Sequence, residues 1–145
     1  MTKSAFRNFT FGVEDSLAST VGLLSGIASA AVNSQTIIIT GIILIFTEAL
    51  SMGIGSFLSE TTDRESTRRR DGVIMFFSYS LAGIIPLFPY AVLPRPISLY
   101  LSIALTLLAL FVLGTITRQT WRVVTLGGLV ALCSVVLGNL LKAFS

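Results

Sequence analysis

Five apolar stretches, at about 9–32, 36–58, 72–92, 97–116 and 121–141, take up almost all of this 145-residue chain, and the breaks between them are too short to hold a domain. A helix needs roughly 20 apolar residues to cross the hydrocarbon core of a bilayer. Each stretch reaches that length, so the sequence predicts an all-α polytopic membrane protein, a single domain (1–145) of five transmembrane helices. Composition points the same way. Only 12% of residues are charged and 53% are hydrophobic, against about 25% charged in a soluble domain, and the mean hydropathy is +0.87.

The charges are placed by topology. With five spans, Lys3, Arg7, Arg64, Arg68, Arg69, Arg70, Arg118 and Arg122 collect on one side of the membrane, and only Arg95 and Lys142 on the other. By the positive-inside rule the amino terminus and the charged loop 59–71 are cytoplasmic and the carboxyl terminus is outside. The net charge of +3 therefore reads as orientation; no basic stripe interleaved with aromatics suggests nucleic-acid binding. Ala28-Ser29-Ala30 has the form of a leader cleavage site, but Glu14 and Asp15 interrupt the apolar region such a leader requires. The first stretch is expected to stay as a span.

Several chemistries are closed to the chain. Histidine is absent, which removes His-based metal sites, proton relays and catalytic triads within it. A single cysteine, Cys133, allows neither an intrachain disulfide nor a cysteine cluster, and in an apolar helix its thiol is expected to be inert. No nucleophile and base pair is evident, so an enzyme is not expected.

What remains is a small set of polar groups inside apolar sequence. Glu14 and Asp15 interrupt the first span and Glu48 the second; an ionised Asp at mid-bilayer costs roughly 2.5–3.5 kcal/mol on insertion scales, so such a residue marks a functional site by default. At about 100° per residue, Asp15, Ser19, Gly22 and Gly26 share a stripe, an acid followed by small residues that let helices approach closely, as a packing or dimer seam. Glu48 and Met52 are one turn apart on the second span. Carboxylates with a thioether suit ferrous iron or manganese better than magnesium or calcium. One chain offers few such ligands, and a second copy about a twofold axis doubles them. Because a carboxylate must lose its proton to bind metal, the same groups can link metal to protons.

The segments Phe11-Gly12-Val13-Glu14-Asp15-Ser16-Leu17-Ala18-Ser19-Thr20-Val21-Gly22-Leu23, Glu48-Ala49-Leu50-Ser51-Met52-Gly53-Ile54-Gly55-Ser56-Phe57-Leu58-Ser59 and Pro86-Leu87-Phe88-Pro89-Tyr90 resemble, in order and spacing, those of the vacuolar iron transporter family. The resemblance implies a homodimer of five-span subunits with a path for Fe²⁺ and related metals between them, run as proton-coupled export from the cytosol. It places Asp15 and Met52 on that path. Some members carry the second-span acid a turn before Glu48, where this chain has Leu44. Many also insert a glutamate-rich cytoplasmic helical domain between the second and third spans; residues 59–71 are too few for one. Glu60, Asp63 and Glu65 are left as a weak acidic entrance.

The expected function is thus a membrane transporter that exchanges divalent metal (Fe²⁺ or Mn²⁺, as cargo rather than cofactor) for protons, with Glu14, Asp15, Glu48 and Met52 as candidate ligands. The alternative is a non-transporting scaffold or partner-binding subunit whose intramembrane acids are structural. A cytosol-facing arginine loop fits a prokaryotic plasma membrane.

Overall fold

A computed structural model describes residues 2–30, 32–59 and 64–144. They form five helices: α1 (Lys3–Ser29), α2 (Ser34–Ser59), α3 (Glu65–Val92), α4 (Ile97–Thr117) and α5 (Thr120–Phe144). No strand occurs among the described residues. Local chemistry sets several ends. The Thr2 hydroxyl accepts from the Ala5 amide and so caps α1, and the Asn33 side chain accepts from the Thr36 amide at 2.8 Å at the start of α2; both satisfy donors that a helix N-terminus leaves unpaired. Arg118 takes a left-handed conformation (φ 58°) and ends α4, returning the chain directly into α5.

Four helices, α2 to α5, are long and apolar enough to cross a membrane. The fifth, α1, carries Glu14, Asp15 and many hydroxyls, and the other four surround it. It packs against each of them, while α2, α3, α4 and α5 follow one another around it; α2 and α5 do not pack together. The arrangement follows from solvation. The helix least able to face hydrocarbon is covered by those that face it at little cost.

Two apolar clusters fasten the ring to its centre. Leu17 of α1 packs with Ala82, Leu110 and Val123 from α3, α4 and α5. Nearer the other end, Leu24 and Ala28 pack with Ile37 of α2 and Tyr90 of α3. Arg95 donates to the Ala28 carbonyl at 3.2 Å, a cation at the negative end of α1.

Two elements differ from expectation. Helix α3 starts at Glu65, so the second half of the charged loop is helix, and Asp71, expected in solvent, is completely buried. Helix α4, which reads as a lipid-facing aliphatic wall, buries Ser98, Ser102 and Thr106 on one stripe. There the Ser102 hydroxyl donates to the Pro86 carbonyl at 2.7 Å, beside the backbone that Pro86 and Pro89 leave short of amide donors.

Candidate functional site

Asp15 lies twelve residues into α1, about 18 Å along its axis, near the middle of the bundle. Helices α1 and α2 are antiparallel, and Leu24 lies against Gly41. Counting along both helices from that contact brings Asp15 level with Leu50, between Glu48 and Met52. The Asp15 and Glu48 carboxylates are close enough for each to feel the other's charge, and both side chains are half-buried, as is Met52. Asp15 and Glu48 therefore stand near one level of the bundle, with Met52 one turn further along α2. Glu14 is also half-buried, but points about 100° away from Asp15 around the helix.

The third element at this level is α3, which supplies a group that the sequence did not single out. Tyr79 is fully buried, and its hydroxyl makes a 2.6 Å hydrogen bond with the Ser19 hydroxyl, one turn above Asp15. It lies within electrostatic reach of both Asp15 and Glu48. Ser16 donates to the Tyr79 carbonyl at 2.7 Å, so the same residue pins α1 to α3 through its backbone and presents a phenol to the acids. A tyrosine mid-span, away from the interfacial belt where tyrosine is common, was the signal available.

Of the small-residue stripe, Ser19 is thus taken by α3. Gly22 faces Val130 and Ser134 of α5, and Gly26 faces the Ser134 carbonyl and Gly138, with no room for a Cβ between the two backbones. The seam is filled within the subunit by α5. Of the two expected uses of these glycines, helix packing is the one seen within the subunit.

The expected acidic entrance is only partly within view. Glu65 sits on the exposed first turn of α3, 3.4 Å from Arg69; Glu60 and Asp63 lie outside the described residues. Asp71, which the sequence reading passed over, is the buried acid of this end. Its Oδ1 accepts from Arg70 Nε at 2.9 Å and Nη2 at 2.7 Å, while Oδ2 has no hydrogen-bond partner among the described residues. Arg70 Nη2 also donates to the Thr2 hydroxyl at 2.8 Å, which ties the start of α1 to α3.

No group of three or more Asp, Glu, His or Cys side chains converges among the described residues. At mid-bundle two carboxylates, Asp15 and Glu48, are within electrostatic reach of each other. No curated protein shows significant similarity to the chain. A family model, the VIT family, matches it over residues 6–71 and 67–140, nearly its whole length and every helix described above. The chain belongs to the VIT family.

Proposed function

We propose that this protein transports divalent transition-metal cations across a membrane, with Fe²⁺ as the cargo and Mn²⁺ as a second substrate, moving metal out of the cytosol in exchange for protons. Family membership supports a membrane metal-ion transporter. The observation that carries the finer reading is the facing of Asp15 and Glu48 across α1 and α2 at mid-bundle, with Met52 a turn along. Hard carboxylate oxygens and one soft sulfur select transition metals over Ca²⁺ or Mg²⁺. Two carboxylates that repel each other when both are ionised gain from a shared counter-ion, and a divalent metal or a proton supplies it. Metal and proton then compete for one pair of acids, which is the basis of exchange.

Three donors leave a transition metal short of ligands, so the site is completed by water or by the same residues of a second copy. We take the working form to be a homodimer, with the amino terminus and the arginine-rich end of α3 in the cytosol, in a prokaryotic plasma membrane. The test is Fe²⁺ flux into proteoliposomes under an imposed pH gradient. Asp15→Ala and Met52→Ala are expected to abolish flux while insertion and assembly stay normal. Undiminished pH-driven flux through Asp15→Ala would remove the proposal.

A further inference from the structure

Near the arginine-rich end, α2 and α3 meet at backbone distance. A Cβ on Gly72 would lie 2.8 Å from the Gly53 carbonyl, and one on Gly53 would lie 3.1 Å from the Gly72 carbonyl. This contact forms the floor of a groove walled by Leu50, Ile54, Phe57, Val73 and Phe76, entirely apolar except for Arg69 at its end. A second cavity adjoins it, lined by Glu65, Ser66, Arg70 and Ile74, and it shares Arg69 and Val73 with the groove. An apolar slot that opens past an arginine onto a cavity edged by charged and hydroxyl side chains has the form of a site for an amphiphile with a negative head.

The neighbouring arginines sharpen the assignment, because two of the three are committed to the protein. Arg68 donates to the Phe57 carbonyl at 3.1 Å and lies over the Phe57 ring at 4.9 Å. Arg70 is bound to Asp71, Thr2 and Ser4. Among the described residues Arg69 pairs with Glu65, at 3.4 Å with both side chains about three-quarters exposed, and an exposed pair of this kind is worth little. A phosphate diester outcompetes it, since arginine binds phosphate through two parallel hydrogen bonds.

We propose that this groove is a binding site for an anionic phospholipid, with an acyl chain against Leu50, Ile54, Phe57, Val73 and Phe76 and the headgroup phosphate on Arg69. The inference does not depend on the transport reading. Its test is a titration of the detergent-purified protein with phosphatidylglycerol and with phosphatidylcholine, followed by native mass spectrometry. Arg69→Ala removes the phosphate anchor. Val73→Trp fills the groove at constant charge. Arg122→Ala, on the exposed start of α5, removes one charge at the same end of the bundle away from the groove.

The wild type is expected to prefer phosphatidylglycerol. Arg69→Ala should weaken that binding about fivefold, the share of one basic side chain at an anionic surface, and bring it to the level of phosphatidylcholine. Val73→Trp should weaken both lipids, and Arg122→Ala neither. Equal wild-type binding of the two lipids would overturn the site, as would equal losses in Arg69→Ala and Arg122→Ala, which would mean diffuse charge attraction. Displacement of the lipid by inorganic phosphate alone would overturn it too, since the groove would then contribute nothing. Arg69 is exposed, so its variant keeps the test decisive even where Val73→Trp fails to fold.

Discussion

Asp71 shows how much one residue's surroundings matter at a fixed composition. Within a run of charges it reads as solvent-facing, yet it sits on the α3 stripe that continues through Met75 and Ser78, both buried against α1. The helical period was in the sequence; what hid the stripe was the reading of 59–71 as a charged cytoplasmic loop. A buried carboxylate whose partner is removed loses its Coulomb attraction and keeps its desolvation cost, about 3–5 kcal/mol for a buried pair. Arg70→Ala is therefore expected to destabilise the protein toward the lower end of that range, because the Arg70 side chain is 41% exposed and its charge is partly screened. Asp71→Asn should cost less, since a neutral amide needs no counter-charge, and adding it to Arg70→Ala should restore part of the loss. Thermal unfolding in detergent measures all three; a neutral Arg70→Ala would show that the pair contributes nothing. Tyr79 makes a different residue-scale prediction. Removing its hydroxyl with Tyr79→Phe should cost only about 1 kcal/mol of stability and yet lower metal flux, because that hydroxyl stands beside Ser19 at the level of Asp15 and Glu48. Flux equal to the wild type would confine Tyr79 to packing.

At the scale of elements, each of the five predicted stretches holds a helix, and hydropathy and length decide four of them, α2 to α5, as long and apolar enough to span a membrane. Partners were harder to read. The spacing of Ser98, Ser102 and Thr106 is a helical repeat of four, but the aliphatic residues around it in α4 masked it; the Pro86 carbonyl opposite explains Ser102, while Thr106 bonds back to the Ser102 carbonyl within α4. The glycines of α1 read as a seam without saying whose. In the fold they meet α5, where Gly26 and Gly138 bring two backbones into contact. That contact is testable by volume. Gly138→Val has nowhere to put its side chain except the Gly26 carbonyl and should cost about 1–3 kcal/mol, as overpacking does. Gly128→Val, on the same helix, meets only Leu107 at 3.8 Å, an ordinary contact, and should be tolerated. Matched unfolding temperatures for the two variants would show that α1 and α5 are not held at backbone distance.

At the scale of the molecule, four helices apolar enough to span a membrane pack around the one helix that carries Glu14 and Asp15. The ring is open between α2 and α5, so one subunit alone leaves part of the polar helix uncovered. A transporter and a scaffold can both be built on this plan, and they differ in what occupies Asp15 and Glu48. If the acids are structural, neutralising one lowers stability and metal changes nothing. If they hold metal, a ligand that binds only the folded state stabilises it by about 2.7 kcal/mol at a hundredfold excess over its dissociation constant. Fe²⁺ under reducing conditions, and Mn²⁺ or Co²⁺ as air-stable probes, should therefore raise the unfolding temperature of the wild type, whereas Mg²⁺ at the same concentration should not. The shift should shrink as pH falls, because binding requires both carboxylates deprotonated, and it should vanish in Asp15→Ala and weaken in Met52→Ala. Glu48→Gln separates the acids further: loss of the shift makes Glu48 a ligand, and an unchanged shift leaves Asp15 and Met52, with their counterparts in a second copy, to hold the ion. The same stabilisation by Mg²⁺, or a shift that survives Asp15→Ala, would place metal binding outside the α1–α2 interface and leave the acids a structural role.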